Sequence, residues 1–397
     1  MRILIISRNS PRKNGFGIQM RIFKHIEALK NFGEVRLLIL QAKADDYDAI
    51  AHQTEISGIA NKPDNEGLGL LASPENAPSP LNSELDFVNE HLKSWKPDLF
   101  FCFRLDSARI LESSSTLNAL KNSLKILDLD DIESKAAIRA VKSNYKVYGR
   151  IYTLRKFFDS IKLKAIERKA FKNFDNTLIC STKDQKDLYK HFGSICDFKV
   201  IPNTIDLQEQ LPDQTVNENK INLLFVGTMS YHPNVRAIEY FIKEIYPLAK
   251  QLTNINLHLY IVGHKPPERI RKLNEAEDIT VTGGVNSVIP YYLLSNIVIC
   301  PILSGGGTRI KIIEAMSLNR PVISTTLGAE GLNVKNELNI LLADNPQDFA
   351  SCILRLTEQP DLRNKIAKEG VDFATCNYST KILPDIFQEL LQKPLYD

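Results

Sequence analysis

Apolar runs of strand length recur along the first half of the chain: Ile3–Ile6, Val35–Leu40, Leu99–Phe103, Lys125–Leu127, Asn176–Cys180 and Lys199–Ile201. Between several of them the apolar positions take helical spacing, as over Ile18–Asn31. Strands that are apolar throughout, separated by helices, predict a parallel sheet covered on both faces. The pattern weakens over residues 41–97. There the stretch Gly58–Pro80, rich in Gly, Pro, Asn, Ser and Ala, reads as a loop or mobile insertion.

The first series closes near Ile201-Pro202-Asn203, and the polar residues 206–219 read as a linker. A second series of strands follows at Asn222–Val226, Asn256–Val262, Ile279–Thr282, Ile297–Pro301, Pro321–Ser324 and Asn339–Leu342. Helical patterns fit between them at Ala237–Gln251, Val288–Leu294, Ile310–Leu318 and Pro346–Glu358. The pattern predicts an α/β protein of two doubly wound, Rossmann-like domains facing a cleft. Ligands are expected at the carboxyl ends of the strands. The expected division is 1–205 for the first domain, 206–219 for the linker, 220–375 for the second domain and 376–397 for a C-terminal helix crossing back to the first.

Composition narrows the class. A chain of 397 residues exceeds the roughly 250–300 residues at which a single core stops growing. The charge is too balanced, with 50 Lys and Arg against 47 Asp and Glu, to imply nucleic-acid binding. The six cysteines form no C-x-x-C pair and no zinc spacing, and read as buried free thiols in a reducing compartment. The opening run Ile3–Ile6 is shorter than the roughly 7–15 apolar residues of a signal-peptide core. No window approaches the roughly 18 of a membrane span. The chain is thus expected to be soluble and cytoplasmic. Contact with the inner face of a membrane is left open by Arg150–Phe174, which holds eight Lys and Arg against two Asp and Glu. Phe157, Phe158, Ile161, Ala165 and Ile166 recur there at helical spacing. The segment is either a basic amphipathic helix on anionic lipid or a surface helix packed on the sheet.

The strongest chemical signal is Ser304–Met316, SGGGTRIKIIEAM, after a predicted strand and opening a predicted helix. Consecutive glycines allow backbone N–H groups to approach a ligand closely and to adopt positive φ. The helix offers free N–H groups and a positive dipole end, and Arg309 and Lys311 add charge. The segment reads as a phosphate cradle, with Glu314 within reach of a hydroxyl-bearing group beyond the phosphates. The alternative is a glycine-rich turn before a helix with solvated basic residues. Three further loops sit at strand ends. Val226–Asn234 brings Gly227 and Thr228 towards the same region, although Pro233 is also ordinary helix-start chemistry. Arg8–Gln19 holds Gly15 and Gly17, a weak G-x-G only. In Leu127–Ser134, Asp128, Asp130 and Asp131 could bind a metal, place a base or cap the next helix.

Taken together, FVGTMSYHPN, LYIVGH, VTGGV, GGGTRIKIIEAM, PVISTTLGAEGL and the tail around ATCNYS resemble the GT-B glycosyltransferases, specifically the retaining group called family 4. The resemblance is strongest over 221–345, and VIPNTID at 200–206 looks like the family's inter-domain crossing. It implies that Glu314 holds the donor's ribose hydroxyls and that Gly307, Thr308 and Arg309 meet the diphosphate and donor sugar. It also implies that Gly263, His264, Gly284 and Val285 lie near the nucleobase, and that Gly15 and Gly17 form the N-terminal glycine loop. Two departures stand out. The family's glutamate eight positions before Glu314 is here Gly306, which leaves donor identity open. Of the family's Arg and Lys pair near the start of the second domain only Arg236 remains, inside a predicted helix, so that Arg309 and Lys311 are expected to carry the phosphate charge.

The expectation is therefore a metal-independent enzyme with no cofactor, taking a UDP- or GDP-linked sugar to a saccharide or lipid-linked acceptor with retention. Surface polysaccharide or glycan synthesis is the expected setting. Arg309 supports the leaving group, and Asp130 or Asp131 orients the acceptor hydroxyl. The rivals are a non-catalytic nucleotide-sugar-binding subunit and a sugar-nucleotide epimerase or phosphorylase on the same fold.

Overall fold

The computed structural model describes residues 1–13, 15, 17–41, 55–59, 77–207 and 220–392, with the side chains of 140–153 excepted. The chain forms two compact units, Met1–Asn203 with Lys381–Asp397, and Thr204–Thr380.

The first unit is built on strands β1 (Arg2–Ser7), β2 (Glu34–Ile39), β3 (Glu55–Gly58), β4 (Leu99–Phe103), β5 (Leu124–Asp128), β6 (Asn176–Ile179) and β7 (Asp197–Val200). They lie in the order β3-β2-β1-β4-β5-β6-β7, and every pairing is parallel. Side chains alternate across a strand, so a sheet buried on both faces needs apolar residues at every position. Leu4, Ile6, Phe100 and Cys102 enter one core layer. Ile3, Ile5, Phe101 and Phe103 enter the other. The first layer is closed by Val88 and Leu92 of the helix Asn82–Ser94 and by Leu163 and Phe171 of the helix Glu133–Asn173. The second is closed by Ile22 and Ile26 of the helix Gly17–Leu29 and by Leu383 and Phe387 of the helix Leu383–Gln392.

The second unit is built on β8 (Lys220–Val226), β9 (Asn256–Val262), β10 (Ile279–Gly283), β11 (Ile297–Cys300), β12 (Val322–Ser324) and β13 (Leu341–Leu342). Their order is β10-β9-β8-β11-β12-β13, again parallel throughout. Each sheet reverses its winding once, between β1 and β4 and between β8 and β11. In doubly wound sheets that is where loops diverge and ligands bind.

The structure departs from the pattern in definite places. β3 escapes a reading by apolar runs because no residue in it is fully buried. The helices Asn82–Ser94 and Pro360–Tyr378 carry mean polar character and were not read from the sequence. The helix expected over Ala237–Gln251 starts earlier, at His232, and widens to a π-turn at Phe241–Ile245 before resuming at Tyr246. Pro247, without an N–H to donate to the preceding turn, accounts for the widening. All six cysteines are free, but Cys196 is half-buried and Cys376 exposed, which corrects the expectation that the thiols are buried. The loop reading of 60–76 and the linker reading of 208–219 fall outside the described residues. No described helix is long and apolar enough to cross a membrane.

Candidate functional site

At the carboxyl ends of β8, β9 and β10 the backbones run so close that only glycine fits. The Gly227 amide donates to Val262 at 2.9 Å, Met229 to His264 at 2.8 Å and Gly263 to Gly283 at 3.0 Å. A Cβ on Gly263 would stand 1.9 Å from the Gly227 carbonyl oxygen, and one on Gly284 2.3 Å from His264 Nδ1. The result is a floor of largely half-buried main chain and small residues, beside half-buried Val285.

Beside it, the loop after β11 leads into the helix Ile310–Ser317, which has no side-chain N-cap. Gly305 and Gly307 are in the left-handed region, with φ of 106° and 71°. Arg309 is buried, and its Nη1 donates to the carbonyls of Gly306 and Gly307, at 2.5 Å for the latter. Its Nε is buried without a hydrogen-bond partner. The guanidinium thus braces the glycine loop from within, whereas the sequence suggested a cation presented outward. Gly306 and Thr308 are half-buried in the same loop.

Lys311, in the first turn of that helix, is held differently. Its Nζ donates to Asn234 Oδ1 at 3.0 Å, and Asn234 Nδ2 donates to the Thr228 carbonyl at 2.9 Å. The ammonium also lies 4.1 Å from the centroid of the Phe225 ring. Loss of hydration, aided by the Arg309 charge, pushes its pKa down to about 8. Lys311 therefore ties the glycine loop to the turn after β8, where Thr228 sits half-buried.

Glu314, one turn further on, is half-buried, and its Oε2 accepts from the hydroxyl of fully buried Tyr292 at 2.9 Å. Tyr292 belongs to the helix Ile289–Leu294 and also lies 3.2 Å from the Lys311 carbonyl. Burial, and then the Glu314 charge, raise the tyrosine's pKa well above its ordinary value and keep it a donor. Neither Tyr292 nor Asn234 carried a signal in the sequence beyond an aromatic in an apolar run and a residue after proline.

In the first unit the three acids of Leu127–Ser134 separate into different roles. Asp128 is fully buried at the end of β5. It accepts from Arg21 Nε at 2.9 and 3.0 Å, and His25 Nε2 lies 3.0 Å away. Burial opposes its charge, but the Arg21 guanidinium overcomes that and holds the carboxyl below its usual range. Arg21 also donates to Asn203 Oδ1 at 3.1 Å. Arg21 and His25, one turn apart on the helix Gly17–Leu29, were missed; a polar i, i+4 pair on a largely apolar face was their only signal.

Asp130 takes a left-handed backbone, with φ 61°, and its amide donates to Asp128 Oδ1 at 3.1 Å. Asp131 Oδ1 accepts from the Ile132 amide at 2.8 Å. Burial first, then the neighbouring Glu133, Asp130 and Asp184, raise Asp131 to about 7. The helix Glu133–Asn173 that follows has no side-chain N-cap, so these acids do not cap it. At the end of the adjacent strand β4, Arg104 is also left-handed, with φ 67°, and Nη2 donates to Glu133 Oε1 at 2.5 Å. Among the described residues no group of three or more His, Cys, Asp or Glu could hold a metal ion. Gly15 sits in the loop before the helix that opens at Gly17, where a Cβ would meet Gln19 Oε1 at 2.6 Å.

Comparison with known proteins bears on both units. Residues 220–359 match the family model described as "Glycosyl transferases group 1". A Klebsiella pneumoniae protein described as an uncharacterized 44.6 kDa protein in the cps region is 24% identical over 98% of this chain and 99% of its own length. Among solved structures, a sucrose-phosphate synthase from Thermosynechococcus elongatus superposes with a TM-score of 0.72 at 18% identity, covering 99% of this chain and 98% of its own. Anabaena HepE in complex with UDP superposes with a TM-score of 0.68 at 14% identity, covering 99% and 100%. The two parallel sheets are those of the GT-B fold, and residues 220–359 form a glycosyltransferase domain.

Proposed function

We propose that this chain, a glycosyltransferase of the GT-B fold, moves a sugar from a UDP- or GDP-linked donor to a hydroxyl of a saccharide or lipid-linked acceptor, with retention. The observation that carries the reading is the convergence of Gly227, Lys311 and the left-handed glycines 305 and 307 at the β8–β11 switch point. A helix start with no side-chain cap, its positive dipole end and an ammonium beside it suit a diphosphate. As the donor bond breaks, negative charge grows on the leaving diphosphate, and groups already in place stabilise it without reorganising. In this reading Lys311 supplies the charge, Arg309 shapes the loop, and Glu314, steadied by Tyr292, takes the ribose hydroxyls. His264, Gly284 and Val285 border the base. Asp131 orients the acceptor hydroxyl, and no metal or further cofactor is required.

The setting we favour is surface polysaccharide synthesis, supported by the relative from a cps region that matches along nearly the whole chain. Thermal-shift screening of nucleotide sugars tests the donor, because a ligand bound only by the folded state raises its melting temperature. A rise with UDP- or GDP-sugars that survives chelation of divalent metals is the expected result. Stabilisation by no nucleotide sugar at any concentration would remove the proposal.

A further inference from the structure

The 41-residue helix Glu133–Asn173 turns one face inward, through Ser160, Leu163, Glu167 and Ala170. At 100° per residue the opposite face carries Leu154, Phe157, Phe158 and Ile161. These four are 55%, 49%, 42% and 53% exposed, among the most exposed large apolar side chains described. The sequence left open whether they face the sheet, and they do not. Phe157 and Phe158 stand edge to face at 6.1 Å and have no core to enter. One turn further along the same outward face come Lys164, Arg168, Lys169 and Lys172, all exposed. Single exposed hydrophobics are ordinary, but four adjoining ones on one helix face mark an interaction surface. An apolar tip bordered by Lys164, Arg168 and Lys172, with Lys169 paired to Glu112 at 3.2 Å, complements a surface that is oily inside and anionic outside.

We propose that this face docks on an anionic lipid surface, with Leu154, Phe157, Phe158 and Ile161 entering the headgroup–acyl boundary and Lys164 and Lys172 meeting lipid phosphates. None of these residues is among those assigned to donor binding, so this inference stands or falls without the sugar-transfer reading. Co-sedimentation with vesicles of phosphatidylcholine alone, or with about one-third phosphatidylglycerol, tests it on the full chain. Binding to the anionic vesicles only, weakened by molar salt, is expected. Phe157→Ser with Phe158→Ser should lower partitioning at least tenfold. Lys164→Gln with Lys172→Gln should lower it on the order of tenfold or more. Both variants should keep the wild-type melting temperature and nucleotide affinity, which separates lost docking from lost folding. Failure of the wild type to bind anionic vesicles at low salt overturns the proposal. So does an oligomer of this chain that disperses in the phenylalanine variant while vesicle binding stays absent.

Discussion

Gly227 and Lys311 share one space: a Cβ on Gly227 would stand 2.7 Å from the lysine Nζ and 2.8 Å from Asn234 Nδ2. The absence of a side chain at the end of β8 is therefore what lets the ammonium reach the switch point. Gly227→Ala should push Lys311 off Asn234 and weaken diphosphate binding while leaving the β8 core intact. Loss of one charge-assisted hydrogen bond corresponds to about 1.5–3 kcal/mol, roughly ten- to hundredfold in affinity for UDP or GDP. Calorimetry on the alanine variant decides the matter, and an undiminished affinity would detach Lys311 from the phosphates.

Lys311 and Arg309 should separate on two axes, binding and stability. The lysine's pKa, depressed to about 8, means that folding disfavours its charged form. The penalty is fully present below pH 8 and fades as pH rises towards the ordinary lysine value. Lys311→Met should therefore abolish the preference for diphosphate over nucleoside, with a melting temperature at neutral pH equal to or above wild type. Its advantage should shrink as pH rises beyond 8. Arg309→Met removes the brace of the Gly306 and Gly307 carbonyls and should lower the melting temperature as well as affinity. If the lysine variant melts several degrees lower, the residue is structural.

How far the sequence reaches can be seen in these same residues. The strands of both sheets were legible where burial leaves a continuous apolar signature, and β3 was not because none of its residues is fully buried. The glycine loop and Glu314 were legible as a local string. The partners that give them their geometry, Asn234 and Tyr292, lie 77 and 22 positions away from Lys311 and Glu314 and are brought in only by the winding of the sheet. Charge in a string also does not tell where it points. Arg309 and Lys311 are two residues apart, yet one folds into its own loop and the other reaches Asn234. Asp128 looked like its neighbours and is instead a buried counter-ion, because its partners sit on a helix 107 positions earlier.

Tyr292 should act on the donor through Glu314. Tyr292→Phe deletes only the hydroxyl that donates to Glu314 Oε2, so the packing of the ring stays and the carboxylate is freed. Affinity for UDP or GDP is expected to fall about three- to tenfold, in line with the 0.5–1.5 kcal/mol of an ordinary hydrogen bond. Glu314→Ala should lose more. In a double-mutant cycle the two losses should not add, because the tyrosine has no role once the carboxylate is gone. Additive losses would mean that Tyr292 and Glu314 serve the site separately.

Asp128 should govern stability. Both it and Arg21 have side chains about fully buried, at 0% and 1% exposure. Removing one partner of such a pair leaves an uncompensated buried charge and costs about 3–5 kcal/mol. Asp128→Ala is expected to lower urea stability by that order, while Asp128→Ala combined with Arg21→Met recovers part of it. A double-variant loss equal to the sum of the two single losses would show that the pair is not coupled.

Asp131 carries the clearest pH dependence in the first unit. Burial and three neighbouring acids raise its carboxyl to about 7, so near neutrality it is half protonated in the folded chain and fully ionised in the unfolded one. A carboxyl whose pKa rises on folding lends its stability below its unfolded value near 4 and loses it as pH climbs through 7. Asp131→Asn should remove that slope, giving a protein less sensitive to pH between about 4 and 7. Glu167, also raised to about 7 and electrostatically linked to Asp131, titrates in the same window. Glu167→Gln is therefore the control that tells the two apart. If the ionised Asp131 orients the acceptor hydroxyl, transfer should climb with pH through about 7 in the wild type. The Asn variant should transfer slowly at every pH, with donor hydrolysis and UDP or GDP affinity retained. Glu167→Gln should keep both transfer and its pH limb. A pH limb that persists in Asp131→Asn and vanishes in Glu167→Gln would move the assignment to Glu167.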